Sequence, residues 1–149
     1  TALGVARGVL EAFIETVAEK IPRAQTHKLR DNNAIQADVG RSQGRLAAAH
    51  AFLKQEITEI WEAVCISGTL SIDQRMRIRL SSTYAIHEAK TVVDTLYDHA
   101  GATAIFSSSP FERRFRDIHT ISQQIQGRQA HFQTVGSFLL GNEPDLRLV

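Results

Sequence analysis

From Leu29 to about Ser67 one periodicity dominates the chain. Leu46, His50, Leu53, Ile57, Ile60 and Val64 fall at steps of four and three, the spacing of one helical face. The spacing predicts a helix of about 35 residues, roughly 50 Å long. Gly40 and Gly44 sit inside it, either weakening it or letting another backbone approach, and Gly68 is placed to stop it. A helix of that length with short connections takes antiparallel neighbours, so the expected architecture is all-α, an up-down helical bundle.

The flanking segments agree. Ala6, Val9, Leu10, Phe13, Ile14, Val17 and Ile21 form a wide apolar stripe on a first helix over 2–21, stopped by Pro22. Ser71-Ile72-Asp73-Gln74 reads as a capping box opening a third helix that ends near Gly101. Its inner face runs Ile78, Ser82, Ala85, Ala89, Val92, Leu96, small enough in the middle for a close neighbour. Residues 102–108 form a short linker of small residues. A second capping box, Ser109-Pro110-Phe111-Glu112, opens a fourth helix with Phe111, Phe115, Ile118, Ser122 and Ile125 inward, and Gly127 breaks it. A short last helix over 128–140 carries Phe132, Val135 and Leu139 inside. Gly141 to Pro144 ends it, leaving a loose tail. The reading is a four-helix core plus a short fifth helix, one domain over 1–149.

Composition narrows the function. Seventeen basic residues stand against 16 acidic ones, net +1, which gives no pull toward nucleic acid or an anionic membrane surface. No run of about 18 apolar residues occurs, so no membrane span is expected, and the expected location is cytoplasmic. One cysteine, Cys65, excludes an internal disulfide and a cysteine zinc cluster. It lies between Val64 and Ile66 and reads as a buried, inert thiol. No histidine follows a Glu at the spacing a di-iron bundle needs, and phosphate-loop, dinucleotide and nucleophile-elbow patterns are absent. No metal site is expected. His50 reads as an interior side chain, and Trp61, Tyr84 and Tyr97 as packing residues. Apolar residues outnumber what one core can cover, so a homodimer or tetramer built from bundle contacts is expected.

Two basic clusters remain. Arg75, Arg77 and Arg79 read as a solvated, salt-bridged face. Arg113, Arg114 and Arg116 follow Ser107, Ser108 and Ser109 at a helix start. Backbone donors, hydroxyls and guanidinium groups there suit a phosphate, or the serines only cap the helix.

The run Ser109-Pro110-Phe111-Glu112-Arg113-Arg114-Phe115-Arg116-Asp117-Ile118-His119-Thr120 resembles the carboxy-terminal helical domain of the acyl-CoA dehydrogenase superfamily. Within it the chain is most similar to the branch of two-component flavin-dependent monooxygenases. Gly101 to Phe106 resembles the small-residue loop that faces the flavin, and Arg30 the arginine that reaches a flavin phosphate, often across a subunit boundary. The resemblance implies that a helical domain and a β-domain precede the bundle in a longer flavoenzyme. It implies FAD or FMN in the cleft between domains, not retained by the bundle alone, and a flavin reductase as partner. The implied reaction is hydroxylation of an aromatic or similarly electron-rich small molecule with reduced flavin and O2. The isolated chain is then expected to be inactive. By the same resemblance the cofactor-binding candidates are Arg30, Thr103, Ser107, Ser108, Ser109 and Arg116, and the catalytic candidates His119 and Gln124.

Two alternatives stay open. An acyl-CoA dehydrogenase needs a carboxylate base, but no Glu occurs between Glu112 and Glu143. Glu11 and Glu15 on the first helix are the remaining choices, and both read as solvent-facing charges. In the monooxygenase branch a His stands seven residues after the Asp of the Arg-Asp pair. Here Gln124 stands there, able to donate a hydrogen bond but not to exchange a proton near neutral pH. The other alternative is a non-catalytic helical interaction domain.

Overall fold

The computed structural model describes residues 1–22 and 26–144. Five helices make up the bundle: α1 (Ala2–Glu19), α2 (Asn33–Ser67), α3 (Ile72–Ala100), α4 (Pro110–Gln123) and α5 (Ala130–Leu139). Residues 145–149, expected to form the loose tail, lie outside the described residues.

Helix α3 is the hub and packs against every other helix. Cross-helix pairs fix the directions. Arg45 reaches Glu88 at 2.6 Å, and Arg77 reaches Glu56 at 2.6 Å, so α2 runs antiparallel to α3. His119 meets Asp94 at 2.9 Å, and Phe115 stacks on Tyr97 with centroids 4.2 Å apart, so α4 also runs antiparallel to α3. Ala85, Ala89, Val92, Val93 and Leu96 on α3, with Val9, Phe13 and Ile118 from its neighbours, are almost wholly shielded from water. The up-down bundle read from the sequence is the fold observed.

Local chemistry sets the helix ends. Ser71 and Gln74 form the full reciprocal capping box: Gln74 N donates to Ser71 Oγ at 3.2 Å and Ser71 N to Gln74 Oε1 at 2.8 Å. Gly68 and Gly101 close α2 and α3 at φ of 70° and 63°, a region costly for residues with a Cβ. The expected box at Ser109 is different. Ser109 Oγ accepts from Phe111 N at 3.3 Å, while Glu112 turns forward to take two bonds from Arg116, at 2.6 and 3.1 Å. A charge-assisted fork one turn on outcompetes a return bond to one backbone N–H.

Several sequence expectations are corrected. Arg30 is not in the second helix but in a separate 3-10 turn, Leu29–Asp31, because the Asn32 side chain caps α2 through Ala34 N and Ile35 N. His50 is exposed, as is Cys65. Ile57 is 51% exposed and Trp61 69% exposed. The exposure of Ile57, Trp61 and Cys65 follows from unequal helix lengths. At 18 and 35 residues, α1 is about 27 Å long and α2 about 52 Å. Leu53 already faces the first residues of α1, and the part of α2 beyond it runs on with α3 as its neighbour. Leu139 is likewise exposed, because α5 packs on α3 from one side. Tyr84 and Tyr97 do pack, against Phe52 and Phe115.

Asp38 on α2 accepts from His99 at 2.8 Å and from Arg41 at 2.7 Å. The His99 bond first, and Arg41 second, hold its carboxyl below the usual carboxylate range. A lowered folded pKa gives stability that is complete above the unfolded value of about 3.9 and is lost as pH falls through the folded value. Asp38→Asn should therefore lower the melting temperature at neutral pH. The gap to the parent should close as pH falls below about 4. A gap unchanged by acid would show that the charge contributes nothing.

Candidate functional site

Helix α4 lies antiparallel against α1. Phe13 meets Phe111 edge to face, with centroids 6.4 Å apart. Gly8 leaves space for Arg114, since a Cβ at Gly8 would stand 3.1 Å from Arg114 Nε. Arg114 turns back along its own helix and donates to the Pro110 carbonyl at 2.9 Å. Between the helices runs a groove of about 620 Å³, lined by Thr1, Gly4, Ser107, Ser109, Arg113 and Asp117 among others. Hydroxyls and guanidinium groups converge there, with Asp117 as the one carboxylate. This donor set fits a phosphate or polyol chain.

A second cleft of about 260 Å³ opens where α1 begins. Thr1 borders both openings. Leu3, Leu53, Ile86 and Ile121 supply apolar walls, and Gln124 and Gln126 the amides. Gln124 is no longer helical: α4 ends at Gln123, and Gln124 is extended, with ψ 167°.

The turn after Gln124 is held from three sides through its carbonyls. Thr83 Oγ1 donates to Gln126 O at 3.1 Å, His87 Nε2 to Gly127 O at 2.8 Å, and His131 Nε2 to Ile125 O at 2.6 Å. Thr83 and His131 are buried. A carbonyl only accepts, so both imidazoles carry a proton on Nε2. Gly127 admits no side chain, for an added Cβ would lie 2.5 Å from the Ser122 carbonyl oxygen.

The sequence candidates are scattered over the bundle. Ser107 and Ser109 stand at the start of α4 and line the groove, while Gln124 stands at the other end of α4, about 21 Å along it, in the cleft at the start of α1. Ser108 is exposed and does not line the groove. Thr103 sits at the other end of α1: its hydroxyl accepts from Lys20 Nζ at 2.7 Å and donates to Ala100 O at 2.9 Å. Arg30 lies near that end too, tied through Leu29 N to Lys20 O at 2.9 Å. Its side chain borders an apolar slot of about 260 Å³ with Ile14, Val17, Ile35 and Val39, 3.9 Å from Asp31. Arg116 points to Glu112, which raises its pKa, and stays outside the groove. His119 faces α3, where it meets Asp94 and lies 4.3 Å from the Phe115 ring.

Lys20, Thr1, Gln126 and the residues that hold the turn were missed in the sequence. Arg113 and Arg114 belonged to a recognised basic cluster, and it is these two, not Arg116, that line the groove. Among the described residues no group of three His, Cys, Asp or Glu could hold a metal ion, and no helix is long and apolar enough to cross a membrane.

A hub helix flanked by the antiparallel α2 and α4, with open grooves at the rim, defines an up-down helical bundle. The chain belongs to the family described as acyl-CoA dehydrogenase, C-terminal domain, which matches residues 1–128. It is 23% identical over 142 residues to indole-3-acetate monooxygenase of Acinetobacter baumannii, covering 95% of this chain and 36% of that protein. It is 23% identical over 153 residues to the oxygenase component of an FADH2-dependent resorcinol hydroxylase of a Rhizobium species, covering 97% of this chain and 37% of that protein. The fold is also that of XiaF from a Streptomyces species, in complex with FADH2 and glycerol, with a TM-score of 0.87 at 20% identity, over 97% of this chain and 37% of that one. The chain thus spans little more than a third of the length of these relatives.

Proposed function

We propose that this bundle is the carboxy-terminal domain of a longer flavin-dependent monooxygenase that hydroxylates an aromatic or similarly electron-rich small molecule. A separate reductase delivers the reduced flavin, FAD or FMN. The naming of the relatives as a monooxygenase and an oxygenase component supports this reading. The observation that carries it is chemical. The cleft beside Gln124 is lined by apolar side chains, hydroxyls and two amides, with no titratable side chain. Abstraction of a proton next to an acyl thioester needs a base within reach. Glu11 and Glu15 are exposed on α1 and line neither the cleft nor the groove.

When bound, the flavin supplies the oxygen chemistry. The chain's own residues orient and exclude water. Ser107, Ser109 and Arg113 would hold the polar part of the cofactor, and Gln124 would donate a hydrogen bond toward the reacting end. Arg30 and Thr103 lie near the end of α1 that is far from Gln124, and Thr103, four residues before Ser107, stands within about 14 Å of that serine. The bundle belongs to a homo-oligomer, a dimer or tetramer, in which Arg30 serves the flavin of a neighbouring subunit. The exposed apolar stretch of α2 supports the same assembly. Reduced flavin reaches the oxygenase by diffusion, so both components share the cytoplasm.

The full-length protein, supplied with reduced flavin and O2, should convert a phenolic substrate to its hydroxylated product and leave flavin unbleached by acyl-CoA. Bleaching by acyl-CoA would make it a dehydrogenase, and absence of any β-domain upstream would leave an interaction domain. Arg30→Ala should weaken flavin retention, while Gln124→Ala should divert O2 consumption from product to peroxide. The 149-residue chain should sediment as a dimer or larger at tens of micromolar. It should show no tight flavin binding in equilibrium dialysis, because a few contacts of about 1.5–3 kcal/mol do not offset an immobilisation cost of roughly 4–15 kcal/mol.

A further inference from the structure

On the opposite side of the 125–127 turn from Gln124 lies a separate cleft of about 400 Å³ between α3 and the start of α5. Lys90 and His87 project from α3, and Arg128 from the segment after the turn. Thr91 and Ser122 add hydroxyls, and Gln129 an amide; no carboxylate lines it. The geometry points to a binding site for a small oxyanion, phosphate or carboxylate, held between Lys90 and Arg128.

Three features carry this. Cations stand on both walls, so an anion between them meets opposite charge from two directions. Six other arginines, Arg30, Arg41, Arg45, Arg77, Arg113 and Arg116, meet carboxylates within the chain. The Arg128 guanidinium has no hydrogen bond or ion pair among the described residues. Finally, the wall is pre-formed. His87 donates through Nε2 to Gly127 O, and its Nδ1 faces the Gln129 amide nitrogen at 3.4 Å, which keeps both side chains in place. Thr91 and Ser122 donate their protons to the carbonyls of His87 and His119, at 3.0 and 2.9 Å, so the donors left for an anion are Lys90, Arg128 and the Gln129 amide.

Lys90 is paired with Asp94, one turn along α3. An i,i+4 pair about one-third exposed is partly screened by solvent and can exchange its lysine for another anion. When Lys90 turns to an anion, Asp94 keeps its bond from His119 and is not orphaned. The site is separate from the α1–α4 groove and from the Gln124 cleft. It shares with the latter only the pinned turn, so a bound anion would brace the back of the segment that carries Gln124.

The test is an NMR titration of the ¹⁵N-labelled chain with sodium phosphate and, separately, with sodium benzoate, at ionic strength held constant with chloride. Saturable shifts at Thr91 and the Gln129 side-chain amide are expected, with a Kd of about 1 mM or tighter for one of the two. Arg128→Gln should weaken that binding about tenfold. Arg7→Gln, at an exposed position on α1, should leave it unchanged. The phosphate arm and the benzoate arm identify which anion class the site takes. No saturable shift with either, or shifts that survive Arg128→Gln, would overturn the proposal. The result does not depend on flavin chemistry, so it stands or falls apart from the monooxygenase reading.

Discussion

Phe13→Ala is expected to destabilise the domain by about 3–5 kcal/mol, the usual cost of emptying a buried aromatic site. Phe13 has no exposed surface. Its ring meets Phe111 on α4 and His99 on α3, with centroids at 6.4 and 6.3 Å, so one side chain joins three helices. A typical domain is stable by only about 5–15 kcal/mol, so a large share of the total should go. Urea unfolding followed by circular dichroism measures it. A loss under about 1 kcal/mol would mean that the α1–α4 contact collapses around the cavity, and that the groove holding Ser107 and Ser109 is not rigid.

Gly127→Ala is expected to cost about 2–3 kcal/mol, for a different reason. The added methyl would stand 2.5 Å from the Ser122 carbonyl oxygen, and backbone, unlike a side chain, has no rotamer to escape into. Ordering alanine rather than glycine in the unfolded chain returns about 0.4–1 kcal/mol, too little to change the sign. The turn must shift, and with it the carbonyls that Thr83, His87 and His131 hold. Urea unfolding gives the stability change. Amide exchange at Gln124 to Gly127 should speed up by more than global destabilisation explains. Parent-like exchange there would show that those three bonds do not set the turn's position.

What the sequence disclosed is what local chemistry decides. The capping box at Ser71 and Gln74 and the glycine stops at Gly68 and Gly101 follow from donors, acceptors and φ within a few residues. The length of α2 follows from its uninterrupted period. Where two local bonds compete, pattern alone does not choose: Glu112 could return to the Ser109 backbone or go forward to Arg116, and the charge on Arg116 decides. The faces of α2 were misread beyond Leu53, because which stripe is covered depends on where α1 begins, and no residue in α2 encodes that. The site was legible in part. Ser107 and Ser109 were found through their hydroxyls beside arginines. The groove they line needs Thr1 and Gly4, about a hundred residues earlier in the chain. The bonds that hold the turn end on backbone carbonyls, which every residue possesses, so nothing in a string of side chains marks Ile125, Gln126 and Gly127 as their acceptors.

The overhang of α2 also has an optical consequence. Trp61 is the sole tryptophan, and it stands on the part of α2 that runs past α1. In a separated chain its indole is bathed in water, so its emission is already red-shifted, and melting the core hardly changes it. Covering the overhang with another protein surface moves the emission to the blue and shields it from iodide. Tryptophan fluorescence of this domain therefore reports on assembly and is nearly blind to folding.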